Sequence, residues 1–251
     1  MEYLVVLVTG LCIGSFLNVC IYRVPLEESI AFPGSHCFNC GYELRWYDLV
    51  PVLSYILLMG KCKKCKEKIS MQYPLIEIAN GLLYVAVFFK FGYSIDTLKF
   101  MTLVSLMIVI GMIDFKTKYV FTSTTIVGVI AGIVFLIVNW IITKEFPKDN
   151  VIGAIVGFVP IFLIVVTTHG MGEGDADIAL LCGIFLGAKQ TAIMLFFAII
   201  LGGIVAGIIL LLKLKDRKAE MAFGPYLAMG SIISLFFGKE LLNMYLNYYL
   251  L

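Results

Sequence analysis

The chain has 251 residues, of which 61% are hydrophobic and only 14% are charged. A soluble domain of this length has no use for so much apolar surface, and a net charge of +2 offers no basic field for nucleic acid. The composition is that of an all-α polytopic membrane protein, because its apolar runs are continuous and lack the alternation of barrel strands.

Residues 3–22 are the first predicted span. No basic stretch precedes them and no small-residue cleavage pattern precedes Arg23, so the run reads as a retained helix rather than a signal peptide. Gly14, Ser15 and Asn18 within it read as helix-packing residues. Residues 23–73 are the one long polar segment, carrying Arg23, Arg45, Lys61, Lys63, Lys64, Lys66 and Lys68. Its apolar stretch 49–59 is short for a span and broken by Pro51, which suits a surface or interfacial position. Residues 74–91 are a second span, opened by Pro74, with Glu77 just inside its start where the helix dipole favours an acid. Residues 98–113 form a third span that runs straight into Asp114, followed by the short basic link 115–119. Residues 120–142 and 151–166 are the fourth and fifth, joined by the polar turn 143–150. After the stretch 169–177 come 178–186 and 191–212, the charged loop 213–220, and a last span over 223–246.

The expected fold is thus about eight transmembrane helices with a small cytoplasmic zinc-binding segment. Its parts are a first helix over 1–22, the segment 23–73 and a helical core over 74–251. With eight spans, residues 23–73, 115–119, 169–177 and 213–220 share one side. That side holds most of the lysine and arginine, so it is expected to be cytoplasmic.

The seven cysteines fall into two groups. Cys12, Cys20 and Cys182 stand singly in apolar runs, where a thiol behaves as a small hydrophobe. Cys37-Phe-Asn-Cys40 and Cys62-Lys-Lys-Cys65 have the spacing of a two-knuckle structural zinc site. Disulfides are the alternative, but a cytoplasmic segment keeps its thiols reduced. Flanking lysines would favour the thiolate. His36 adjoins Cys37 too closely to share the same geometry. Four thiolates close a tetrahedron, so such a metal would be structural.

The stretch His169-Gly170-Met171-Gly172-Glu173-Gly174-Asp175-Ala176-Asp177 puts three glycines and three carboxylates between apolar runs. Charge beside hydrocarbon is costly, which makes such residues functional candidates. Gly172 and Gly174 allow a sharp bend or the close approach of a substrate backbone. An ordinary turn with solvated acids is the plainer alternative. Asp114 ends another span on the same predicted face. Two converging carboxylates can share a proton and activate water. They can equally line an ion or proton pathway, so a membrane transporter stands beside a protease on chemistry alone. Two histidines, no H-E-x-x-H and no phosphate-binding loop leave other hydrolytic chemistries poorly supplied.

Taken together, these residues resemble the type IV prepilin peptidases, the leader peptidase/N-methyltransferases. Gly14-Ser15-Phe16-Leu17-Asn18-Val19 through Arg23-Val24-Pro25 resembles the family's opening motif. The paired C-x-x-C and Tyr73-Pro74-Leu75-Ile76-Glu77 are similar to its polar segment and second span. Asp114, Gly172-Glu173-Gly174-Asp175 and Phe223-Gly224-Pro225-Tyr226-Leu227-Ala228 complete the likeness. The resemblance implies an aspartic endopeptidase with Asp114 and Asp175 as catalytic residues. Its substrates would be prepilins or pilin-like proteins, cut after a glycine at the cytoplasmic face of a bacterial inner membrane. It implies a second activity, N-methylation of the new terminus with S-adenosylmethionine as donor. A protease-only relative would have no need of the zinc segment, and a zinc-bearing assembly protein would tolerate loss of both aspartates. The sequence departs from the family pattern at Asp177, where a lysine is usual, and at Val120-Phe121-Thr122, where a proline–aspartate pair is common.

Overall fold

A computed structural model describes residues 1–168, 171–212 and 222–249. His169, Gly170 and the predicted loop 213–220 lie outside the described residues. The longer elements are helices: α1 (Glu2–Arg23), α2 (Leu53–Leu57), α3 (Gln72–Phe91), α4 (Ile95–Thr117), α5 (Thr122–Thr143), α6 (Lys148–Thr168), α7 (Glu173–Leu186), α8 (Ala188–Leu211) and α9 (Gly224–Tyr249). Seven of them, all but α2 and α7, are long and apolar enough to cross a membrane. The protein is an all-α, multi-pass membrane protein. It divides into two compact units, Met1–Thr97 and Leu98–Leu251.

In the first unit, α1 and α3 form an antiparallel hairpin whose backbones nearly touch. A Cβ added to Gly10 would stand 2.8 Å from Gly81 Cα, and one on Gly14 would stand 2.7 Å from Glu77 Cα. Helices in lipid gain little from burying apolar surface against each other, so close backbone approach and interhelical hydrogen bonds hold them. Asn80 Nδ2 donates to Gly10 O at 2.7 Å, and Asn18 Nδ2 donates to Tyr73 O at 3.1 Å. Gly14 and Asn18 therefore do the packing work expected of them.

Arg23 is buried and donates to Ser29 O at 2.9 Å and Gly34 O at 3.4 Å. It gathers the loop after α1 rather than reaching outward as a charged anchor. Glu77 lies beyond the first turn of α3, where a dipole effect has faded. Its carboxylate accepts the N–H of Val52 at 2.7 Å. Val52 has φ +60° and ψ −49°, and Leu53 N donates to Pro51 O across it. This is the strained form of γ-turn, rare for a β-branched residue, and the buried Glu77 holds it closed.

In the second unit the shortest of the long elements is the core. Ten of the 14 residues of α7 are buried, on every side of the helix. A helix apolar all round belongs in the interior. Against α6 it packs backbone to backbone, with Gly153 facing Gly183 and Gly157 facing Ala179. Against α5 it packs in parallel, with Gly128 facing Leu181 and Gly132 facing Ile184 and Phe185. At ~1.5 Å per residue α7 measures ~21 Å, less than the ~30 Å of hydrocarbon. The predicted sixth span is thus a central helix in a sleeve of longer ones. It still runs the way a crossing requires, because its C-terminal end meets the start of α6: Asn150 Nδ2 donates to Ile184 O at 2.8 Å.

Candidate active site and cysteine cluster

Asp114 sits in the last turn of α4 and Asp175 in the first turn of α7. Only 3% and 5% of their surfaces remain exposed, so neither is a solvated turn acid. Helix register brings them together. Cys182 Sγ lies 3.4 Å from Met107 Sδ. Cys182 is seven residues after Asp175, and Met107 is seven residues before Asp114. Gly128 of α5 touches both Leu106 of α4 and Leu181 of α7, and α5 runs back along α4 but parallel to α7. So α4 and α7 are antiparallel, and seven residues is close to two turns on each. The two aspartates therefore sit opposite one another at one level.

Among the described residues, each carboxylate accepts from one backbone amide. Gly172 N donates to Asp175 Oδ2 at 3.2 Å, closing a cap on the start of α7. Gly224 N, at the start of α9, donates to Asp114 Oδ2 at 2.8 Å. The register between α6 and α7 sets Asp175 opposite Ile161, seven residues inside the end of α6 at Thr168. That recesses the carboxylate by ~10 Å from that helix end. A pair so placed, walled by Ile161, Ala176 and Ile178, keeps bulk water sparse while leaving two acids to exchange a proton.

The two motif glycines differ. The open side of Gly174 is filled by the Val120 side chain, so its lack of a Cβ serves the packing of α7 against the link from α4 to α5. Gly172 is exposed, and among the described residues a Cβ there would meet nothing nearer than Asp175 Oδ2 at 3.8 Å. Of the two, Gly172 is the one with room beside it. Glu173 is exposed and Asp177 half-buried, on the flanks of the pair.

The four cysteines of the first unit converge. All their sulfurs lie within 4.8 Å of one another, with Cys37 to Cys65 at 3.8 Å and Cys40 to Cys62 at 3.9 Å. A tetrahedron of thiolates at Zn–S ~2.3 Å has S–S edges of about 3.8 Å, so the donor set fits zinc. The two knuckles are copies of one turn. Gly41 N donates to Cys37 O and Cys37 N to Tyr42 O; Lys66 N donates to Cys62 O and Cys62 N to Glu67 O. The backbone N–H of Cys65, then that of Lys64, holds the Cys62 thiol down to about 6. Backbone amides, more than lysine charge, favour the thiolate at Cys62, whereas at Cys40 the amide of Tyr42 is outweighed by desolvation and the three neighbouring sulfurs, which raise that thiol to about 11. Asp48 ties the knuckles together: it accepts from Tyr42 Oη at 3.0 Å and pairs with Lys63 at 3.7 Å. His36 takes no part, its Nδ1 lying 3.0 Å from Gly34 O.

Two features of these sites carry no local sequence signal. The Gly224 amide reaches Asp114 from 110 positions away, and Asp48 is one acid among many.

Comparison with known proteins adds to this geometry. Residues 8–91 match the family model described as the bacterial peptidase A24 N-terminal domain, and residues 101–207 match the type IV leader peptidase family. The chain is 30% identical to a prepilin leader peptidase/N-methyltransferase of Pseudomonas putida, over 93% of this chain and 90% of that one. It is 36% identical to one of Myxococcus xanthus, over 82% of this chain and 62% of the relative. With one of Bacillus subtilis the identity is 30%, over 97% of both chains. No solved structure matches.

Proposed function

Because this chain belongs to the prepilin leader peptidase/N-methyltransferase family, we propose that it cuts the leader from type IV prepilins with Asp114 and Asp175 and then N-methylates the new terminus. The observation that carries the peptidase half is the register that faces two buried carboxylates across α4 and α7.

Like charges at short range in a low dielectric do not both ionise cheaply, so the pair holds one proton between its members. The ionised carboxylate takes a proton from water as the oxygen attacks the scissile carbonyl carbon. The neutral acid gives its proton to the carbonyl oxygen, and a tetrahedral diol forms. Collapse of the diol breaks the C–N bond as a proton passes to the leaving amine, and the pair regains its single shared proton. The pair holds one proton in total, and the surroundings of each acid decide which of the two carries it.

Cys37, Cys40, Cys62 and Cys65 would hold a structural zinc ion with no open position for substrate. S-adenosylmethionine, when bound, supplies the methyl group for the amine that cleavage frees. The lysines of residues 23–73, and Lys116 and Lys118 just after Asp114, support a cytoplasmic setting for the cluster and for the pair at a bacterial inner membrane.

The test is direct. Purified enzyme in detergent, given a synthetic prepilin segment spanning the leader, should release the leader after its glycine. With S-adenosylmethionine present, the mature product should gain the mass of one methyl group. Cleavage that persists in Asp114→Asn or Asp175→Asn would remove the aspartate pair from the mechanism.

A further inference from the structure

We infer that the Phe223-Gly224-Pro225 start of α9 is a third component of the peptidase site: the Gly224 amide positions Asp114 as the carboxylate that activates water, leaving Asp175 to hold the proton. The inference rests on the aspartate pair proposed above and assigns its two roles.

The first N–H groups of any helix lack an internal partner. In the first turn of α9, Tyr226 N and Leu227 N both donate to Phe223 O, at 3.0 and 3.2 Å. Pro225 has no N–H to give. That leaves the amide of Gly224, and it points at Asp114 Oδ2 from 2.8 Å in a buried position. An N–H at a helix N-terminus favours a charged acceptor, through its own hydrogen bond and through the helix dipole.

Space enforces the arrangement. A Cβ at position 224 would stand 2.6 Å from Asp114 Oδ2 and 3.1 Å from Ile178 Cδ1. Ile178 is one turn after Asp175 on α7, so residue 224 is wedged between the helices that carry the two acids. Only glycine gives the amide this approach. Gly111 of α4 faces Ala228 of α9 one turn further in, which holds the α9 start at this level. Asp175 is held otherwise. Its amide partner, Gly172, is exposed and stands off at 3.2 Å, and the bond closes a local cap within α7. The titratable side chains at this end of the three elements are Asp114 and Lys116 on α4, Glu173, Asp175 and Asp177 on α7, and Tyr226 on α9. Lys116 is exposed and two residues past Asp114, on another face of α4. The helix dipoles favour Asp175, in the first turn of α7, over Asp114, in the last turn of α4, as the anion; the buried 2.8 Å bond from Gly224 works the other way and, as a charge-assisted hydrogen bond, is the stronger effect.

Two measurements test this. Replacing the Phe223–Gly224 amide by an ester, with glycolic acid placed at position 224 by nonsense suppression, deletes the donor and leaves the shape. A hydrogen bond to a charged group of this kind predicts a fall of about 10- to 100-fold in kcat with KM little changed. An unchanged kcat in folded ester protein overturns the proposal, provided Asp114→Asn is inactive; an active Asp114→Asn would instead overturn the pair itself. The second measurement does not depend on the ester protein folding. An infrared spectrum of resting enzyme with carbon-13 in the side-chain carboxyl of Asp175 alone should show the protonated carboxyl band shifted by the label, and the same label in Asp114 alone should leave that band in place. The reverse pattern, or a band that neither label shifts, overturns the assignment.

Discussion

Cys37 and Cys40 meet Cys62 and Cys65 across some 25 residues of loop, and each pair needs only its own short turn to aim two sulfurs. Asp114 meets Asp175 across 61 positions, and nothing local aims either one at the other. The first site is held by backbone hydrogen bonds within each knuckle and by Asp48 between them. The second is held by the level at which α7 sits inside its ring of helices. A site built from local turns tolerates distant change and fails by losing its own ligands. A site built from helix register fails when any helix around it shifts.

The largest effect should come from the acids themselves. Asp114→Asn and Asp175→Asn each leave half of an acid–base pair, and general acid–base catalysis contributes up to ~10⁴-fold. Both variants should cleave at background rate in a peptide assay while still inserting and binding zinc. In the same stretch, Glu173→Gln and Asp177→Asn should keep cleavage within about threefold, as expected of acids that are exposed or only half-buried. An inactive Asp177→Asn would mean that Asp114 has a different partner.

The next effect probes register without touching chemistry. Gly183 meets the backbone of Gly153 and Ala154, neither of which can move aside like a side chain. In Gly183→Leu, α7 must slide or tilt, and with it Asp175, two turns away on the same helix. A displacement of ~1 Å at a reacting group costs about 100-fold. Cleavage should fall by about that much, with zinc content at wild-type level. Wild-type kinetics in this variant would show that α7 does not set the alignment of the pair.

The contrast also explains what the sequence could reveal. The C-x-x-C spacing is a local code, so the cluster was readable from Cys37 to Cys65 before any fold was known. Both aspartates stood out because charge is rare in this chain. Their pairing was expected by analogy and by side of the membrane, but the physical reason for it lies in the Met107–Cys182 contact, which no spacing encodes. Counting apolar residues gave α7 as a span, because hydropathy does not distinguish lipid from a ring of other helices. The dipole reading of Glu77 depended on where α3 begins, and its bond to Val52 on a loop conformation that composition does not specify. Gly174 looked open in the sequence, and Val120 fills the space.

Loss of metal should separate the two regions. Cys40→Ser removes one of four ligands, and a three-thiolate remnant holds zinc poorly. Metal content should fall from about one ion per chain to well below one, and residues 35–68 should become open to protease. Methylation and thermal stability should drop further than cleavage, because the cluster and the aspartates belong to different compact units. Full zinc occupancy in a Cys37/Cys62 double variant would remove these thiols from the site. Equal loss of both activities in Cys40→Ser would break the separation.

The smallest effect lies in the duplicated turn. Each knuckle places the residue after its second cysteine in the left-handed region: Gly41 at φ +66° and Lys66 at φ +60°. For a residue with a Cβ that conformation costs ~1–2 kcal/mol. Glycine adopts it freely but gives up ~0.5–1 kcal/mol more backbone entropy on folding. The difference favours Lys66→Gly by up to about 1 kcal/mol. Against it stands the loss of one positive charge near the thiolates, and since Lys66 is exposed, screening limits that term to a few tenths of a kcal/mol. Conformation should win, so zinc release to a chelator should slow by up to about fivefold in Lys66→Gly, following the conformational difference. Gly41→Lys should move the other way by a similar factor, since it builds into the first turn the strain already carried by the second. Faster release from Lys66→Gly would mean that charge, not backbone conformation, sets the strength of the second knuckle.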